Sequence, residues 1–594
     1  MKNTVEEDIE NELLEIIQSP AVNEDHYMVK YEKRLFQSCM NEAELEEDGL
    51  PILQSMIREL NEWPVVVGHK WRERQFDWPD VLIKLRKSGY FDSMLLNINI
   101  DMNENNTKQV IITPARIMNI ATGHKDAYLK YMSDVAILLK AEPNRASIEM
   151  EKVLDFTEKL NEISQNHWMV NNDSTATVRE FEQEYDDIDW FRLISVFVNP
   201  HTLTIHDEMS FPSSDFMDAF TTLMSKTPKR ILANYIIWRV IDELIMFMPK
   251  AFRDLKTNYT CATEESVNVK ERSKLCQSIL ADLFVVKPSE VLYTRKHLTL
   301  EKQEQVNDLF ENIKEEIIEL VENMPWFAST DKEKILENLN DTAAVIGTDW
   351  EYADDTIFEK YEISGGKRSY GGSFLKMYLN RKKQTKNSLK WSKDMYDIFI
   401  NNDMAGVTPL YYNYKNKLEL PVGMLEKQFH KPGGPMYLTY AAFGKAIGQE
   451  LLSPFVMESN FRKWPKTSIR RFYDQLQCFF KNVNEKGINE PDLQTGIFSN
   501  LVGLKAAYKA YQKYVEENEE EIAPLGIDYT PNQLFWIASV SNECYETDPD
   551  DFNRWVQLFH QKNIPFNNME EFSNDFSCSS ESKMNSAERC SIVE

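Results

Sequence analysis

The stretch Val306-Asn307-Asp308-Leu309-Phe310-Glu311-Asn312-Ile313-Lys314-Glu315-Glu316-Ile317-Ile318-Glu319-Leu320-Val321-Glu322-Asn323-Met324 places apolar side chains at 306, 309, 310, 313, 317, 320, 321 and 324. Steps of three and four residues gather those positions on one face of an α-helix, and glutamates cover the other face. Pro325 follows and cannot continue the hydrogen-bond ladder, so the helix is predicted to stop there. The same period runs through 5–18, 51–61, 125–140, 148–164, 213–223, 230–248 and 270–286. Strand signals are few and short. Leu96, Ile98 and Ile100 alternate with polar residues, and Val110 to Ile112 follow the polar run Asn103 to Thr107, which predicts a hairpin. A Tyr-rich extended patch spans Leu410 to Leu420 and ends before Pro421. The fold class is mainly α.

The composition agrees. Of 594 residues, 42% are apolar and 27% charged, enough for a substantial core and against general disorder. The formal net charge of −28 argues against a nucleic-acid backbone or an anionic membrane as main partner. The best apolar stretch, Ile231 to Pro249, contains Arg239, Asp242 and Glu243, so no transmembrane segment is expected in this chain. The first residues lack the basic-then-apolar order of a signal peptide. Paired glycines at 365–372 and the Lys-Pro-Gly-Gly-Pro run at 431–435 are the strongest punctuation, and a domain boundary is placed near 350–375. The last residues are polar and Ser-rich, yet Cys578 and Cys590 there suggest an end that is tied down.

Motifs of general chemistry are missing. No two of the nine histidines stand four apart, so no His-Glu-x-x-His zinc site is present. The Gly365–Gly372 loop lacks the Gly-Lys-Ser/Thr ending of a phosphate loop, and no Gly-x-Ser-x-Gly elbow occurs. The seven cysteines contain no Cys-x-x-Cys pair. Sequons at Asn105, Asn172, Asn258 and Asn340 weigh little in a chain this rich in Asn, Ser and Thr.

Five runs, in order along nearly the whole chain, resemble the neprilysin-like (M13) zinc metallopeptidases. They are Ala127 to Met132, Ala233 to Arg239, Pro421-Val422-Gly423-Met424-Leu425, Gly503-Leu504-Lys505-Ala506-Ala507-Tyr508, and Phe576-Ser577-Cys578 through Met584-Asn585 to Cys590. The resemblance implies two mainly helical lobes around a large central cavity with few short strands. It implies an N-terminal domain over 1–370 and a metallopeptidase-like domain over 371–594, with the zinc helix at 440–453.

The resemblance also says where chemistry belongs. Family members carry Gly-His-Glu-x-x-His, two zinc ligands and a general base on one helix. This sequence has Gly448-Gln449-Glu450-Leu451-Leu452-Ser453. Glu450 keeps the base position, while Gln449 and Ser453, neutral oxygen donors, stand at the histidine positions. Phe443, Ile447 and Leu451 keep the helical period, so Gln449 and Ser453 share a face. Pro454 is expected to end or kink that helix. The third ligand position falls on Gly496 and the orienting aspartate on Asn500, neither able to do those jobs. The substrate-binding Asn-Ala falls on Thr408-Pro409, and the transition-state histidine falls near Thr547.

By position, Cys39 with Cys276 and Cys478 with Cys590 look like two family disulfides. Cys544 and Cys578 match cysteines whose family partners lie in an N-terminal segment, which, with its membrane anchor, is not expected in this chain. The leading expectation is a catalytically inactive homologue with no cofactor, binding peptides or active M13 relatives, and extracellular or cell-surface by resemblance. A cytoplasmic chain is the other reading of the N-terminus. The alternative function is an active zinc endopeptidase cutting oligopeptides at the amino side of hydrophobic residues, with a non-standard ligand set drawn from His430 or Cys478. A third reading is an interaction role on the outer surface.

Overall fold

The computed structural model describes residues 2–102, 107–117, 120, 122–170, 173–199, 201–263, 271–325, 327–347, 354–361, 372–388, 405–412, 416–425, 434–456, 466–480, 491–518, 521–541, 552–585 and 589–590. Helices dominate, as the periodicity predicts, and the strands are short. The chain groups into two compact units, one of residues 1–16, 290–354 and 403–594, the other of 17–289 and 355–402. This differs from a single cut into 1–370 and 371–594. Residues 290–354 join the C-terminal part because the Leu300–Asn323 helix buries its apolar face in the core that also takes the Lys445–Val456 and Pro491–Glu517 helices.

In the 17–289 and 355–402 unit, the 28-residue Pro143–Val170 helix packs against Lys125–Leu138, Ser214–Lys226 and Lys229–Leu244. The last of these is the apolar stretch weighed as a membrane span. It is instead a core helix, buried from Leu232 through Trp238 and again at Val240, Ile241 and Leu244. Its polar atoms are matched there: Trp238 Nε1 donates to Tyr128 Oη at 2.9 Å, Tyr235 Oη to the Met94 carbonyl at 2.8 Å, and Asn234 Oδ1 accepts from Val65 N at 3.0 Å. No helix among the described residues is long and apolar enough to cross a membrane. The sequence-predicted hairpin is present: β1 (Leu96–Met102) pairs antiparallel with β2 (Lys108–Pro114), Ile98 opposite Ile112. Two more strands, β3 (Asp173–Thr177) and β4 (Glu208–Pro212), complete a sheet of order β1-β2-β4-β3. Cys39 and Cys276 form a disulfide with Cα atoms 5.9 Å apart.

In the other unit, Leu300–Asn323 starts at Thr299, whose hydroxyl accepts from Lys302 N, and buries Val306, Leu309, Phe310, Ile313, Ile317, Leu320 and Val321. Glu316, on the same helix, is fully buried and is held by Lys509 at 3.0 Å and by Lys513. A carboxylate so placed is strongly destabilising once its partners are removed. The Tyr-rich patch forms β6 (Leu410–Tyr412) and β7 (Lys417–Leu420), and β5 (Ala343–Ile346) joins them in the order β5-β7-β6. Cys478 and Cys590 form the second disulfide, Cα atoms 5.8 Å apart, and tie down the C-terminal segment. Cys578 keeps a free thiol.

Candidate functional site

The sequence places the candidate chemistry on two helices, and these two pack tightly. Tyr440–Gly444 forms one wide π-turn, and Lys445–Val456 continues from it as an α-helix. Pro454 does not end this helix, which runs on through it to Val456. A helix tolerates the loss of one N–H when packing holds the turn, and Leu451, Leu452, Phe455 and Val456 are all buried. The helix crosses Pro491–Glu517 at a pair of glycines. A Cβ on Gly503 would lie 2.5 Å from Gln449 N, and one on Gly448 would lie 2.9 Å from Gly503 Cα. Only glycine at both positions lets the backbones approach this closely.

That crossing sets the neighbourhood of Gln449, Glu450 and Ser453 on one helix and of Gly496 and Asn500 on the other. Gln449, Glu450 and Ser453 are half-buried, and none makes a side-chain hydrogen bond with a described residue. Burial pushes the Glu450 carboxyl up to about 7. Gly496 is exposed, and a Cβ built there meets no atom within 4 Å. Asn500 Oδ1 is buried with no hydrogen-bond partner. Strand β6 packs against the Lys445–Val456 helix, with Pro409 buried and Thr408 exposed just before it. The structure thus brings Gln449, Glu450, Ser453, Gly496 and Asn500 onto two contacting helices with Thr408-Pro409 leading into a neighbouring strand.

Two groups escaped the sequence reading. Lys445, on the same helix, is buried, and its Nζ donates to the Ser539 carbonyl at 3.0 Å. Burial pushes its ammonium down to about 8. Lys562 is pushed down to about 7 by burial and by the charge of Lys445. A lone lysine beside Gly444 carries no sequence signal of burial, so nothing in the pattern marks it.

The donor set does not fit a zinc ion. Such an ion takes imidazole, thiolate or carboxylate. Gln449 and Ser453 offer neutral oxygens, Gly496 offers no side chain, and Asn500 offers a neutral amide. Among the described residues no group of three His, Cys, Asp or Glu could hold a metal. Cys478, put forward for a non-standard ligand set, is corrected: its sulfur is bonded to Cys590 and has no thiolate to give. His430, Cys544, Thr547 and the 365–371 stretch lie outside the described residues. Glu450 and Lys562 thus titrate near neutrality, and Lys445 just above it.

The helical architecture is the fold of the solved M13-type metallopeptidases. Sequence models described as peptidase family M13 match residues 1–349 and 410–592, and the chain belongs to that family. It is 24% identical over 647 residues to Neprilysin-2 of Drosophila melanogaster, covering 99% of this chain and 83% of that protein. It is 22% identical over 641 residues to Neprilysin-11 of Caenorhabditis elegans, covering 99% and 74%. Among solved structures it resembles the Mycobacterium tuberculosis zinc metalloprotease Zmp1 in complex with inhibitor, with a TM-score of 0.74 at 14% identity, covering 100% of this chain and 93% of that one.

Proposed function

We propose that this chain is an M13 peptidase homologue without peptidase activity, which keeps the scaffold as a peptide-binding site. The observation that carries this is the chemistry at one helix crossing: Gln449, Ser453 and Gly496 occupy the positions that the family resemblance assigns to zinc ligands, and Asn500 the position of the orienting aspartate. Without a bound Lewis acid no group here lowers the pKa of a water or polarises a scissile carbonyl. Glu450 then acts as a half-buried carboxyl whose desolvation pushes it up to about 7. Strand β6, at the edge of its sheet, offers backbone groups to an extended peptide. The two disulfides support folding in an oxidising compartment, and we place the protein outside the cell or on its surface.

The test is zinc loading of the purified full chain, gel filtration and metal quantification by mass spectrometry, with a Glu450→Gln variant and a quenched-fluorescent peptide library in parallel. The expected result is no retained zinc and no cleavage in either protein. One retained zinc per chain, or cleavage abolished by Glu450→Gln, would overturn the reading.

A further inference from the structure

A cavity of about 600 Å³ opens in the other unit, where the Pro143–Val170 helix, the Ser214–Lys226 helix and the start of Lys229–Leu244 meet. Its floor is apolar: Phe156, Ile163, Leu223 and Ile231 line it, and the last three are left half-buried. Its rim carries Lys152, Lys159 and Lys226 with Asp155 and Glu162, so three ammonium groups against two carboxylates leave it one net positive charge. None of these five makes a hydrogen bond or ion pair with a described residue. In a chain of net charge −28, a locally positive rim of unpaired lysines over an apolar floor is out of character.

The two long helices run antiparallel here. His167, near the end of one, lies 5.6 Å by ring centroids from Phe216, near the start of the other. Lys226, at the far end of its helix, therefore lies toward Lys152. Positive charge gathers at that end, and the apolar floor runs from it toward Ile163.

We propose that this cavity binds a single-chain amphiphile with an anionic head, such as a long-chain carboxylate. The head sits between Lys152 and Lys226, whose flexible four-carbon stems carry the ammonium groups to it. The chain lies over Phe156 and covers the exposed faces of Leu223 and Ile163. A cationic amphiphile meets the wrong sign at the head position, and a neutral one leaves the lysines unused. This site is independent of the helix crossing at Gly448 and Gly503.

The experiment is isothermal titration of the full chain with palmitate below its aggregation concentration. Palmityl alcohol and dodecyltrimethylammonium serve as head-group controls, and sedimentation with phosphatidylserine vesicles separates a free amphiphile from a lipid surface. Saturable 1:1 palmitate binding is expected, weakened at least ten-fold in the double variant Lys152→Glu, Lys226→Glu and unchanged in Lys70→Glu, an exposed lysine outside the cavity. All altered residues are exposed, so the variants fold, and their melting curves verify it. No saturable palmitate binding, equal affinity in the double variant, equal affinity for the alcohol, or binding to vesicles alone would each overturn the proposal.

Discussion

Gly448 and Gly503 form a backbone contact between two helices: a Cβ on the first would stand 2.9 Å from the second's Cα, and a Cβ on the second 2.5 Å from Gln449 N. Neither helix can relax locally, because both are buried in one core with Leu451, Leu452, Leu504 and Ala507. Gly503→Ala must push the helices apart. Overpacking of this kind costs about 1–3 kcal/mol, while alanine returns at most ~1 kcal/mol of helix propensity. Gly496→Ala, seven residues earlier on the same helix, enters open space and gains that propensity at no steric cost. Urea denaturation of the two variants is expected to move in opposite directions. Equal effects would mean that the close crossing is absent in solution.

Glu450 makes stability depend on pH. Its carboxyl titrates near 4.5 in the unfolded chain and near 7 in the fold, so folding favours the neutral form. Stability is therefore full below about pH 4.5, falls as pH rises to 7 and then stays level with respect to this group. The whole loss is at most about 3 kcal/mol. Glu450→Gln removes it. Chemical denaturation at pH 8 should find the variant more stable by about 2 kcal/mol, with no difference at pH 4. A variant less stable at pH 8 would mean that the carboxylate has a partner that holds it charged.

Much of this fold was legible because helical amphipathicity is written locally. The apolar positions from Val306 to Val321 are the buried ones, and the Leu96–Ile112 alternation is the β1–β2 hairpin. Strands β3 and β4 were not legible. Asp173–Thr177 and Glu208–Pro212 pair across more than thirty residues, and β4 runs parallel to β2, so their order comes from long-range contacts and not from any local period. The continuation of a helix through Pro454 was hidden for a related reason, since local propensity predicts an end or a kink there and tertiary packing carries the helix on to Val456. At the candidate site the residue types at 449, 453 and 496 were plain from the chain, but their meaning came from resemblance. The buried Lys445 carried no sequence mark at all.

Each disulfide closes a long loop within one compact unit: Cys39 and Cys276 are 237 residues apart in one, Cys478 and Cys590 are 112 apart in the other. Such cross-links restrict the unfolded chain, and losing one costs about 2–5 kcal/mol. Cys590→Ser is expected to lower the unfolding midpoint in urea and to release the segment around Asn585 and Cys590 to limited proteolysis. Cys39→Ser should destabilise the other unit and leave that cleavage pattern unchanged. Non-reducing peptide mapping that fails to find the Cys478–Cys590 link would overturn both the pairing and the expected cleavage.

The helix crossing also lets the proposed ligand assignment be tested by adding metal-binding side chains. Gln449 and Ser453 lie one turn apart on one helix, and the facing helix has open space at Gly496 for a longer side chain. Asn500, one turn further along, has a buried Oδ1 without a hydrogen-bond partner among the described residues, which leaves room for a carboxylate to take up a new one. The quadruple variant Gln449→His, Ser453→His, Gly496→Glu, Asn500→Asp puts two imidazoles and two carboxylates on the two helices that the Gly448–Gly503 contact holds together. It is expected to retain about one zinc per chain after dialysis, where the parent retains none, and to gain thermal stability when zinc is added. Peptide hydrolysis should stay weak, because no histidine has been supplied near Thr547. Failure to retain zinc with the fold intact would show that the scaffold has drifted beyond its ligand positions; zinc retained by the parent itself would show that those positions were wrongly assigned.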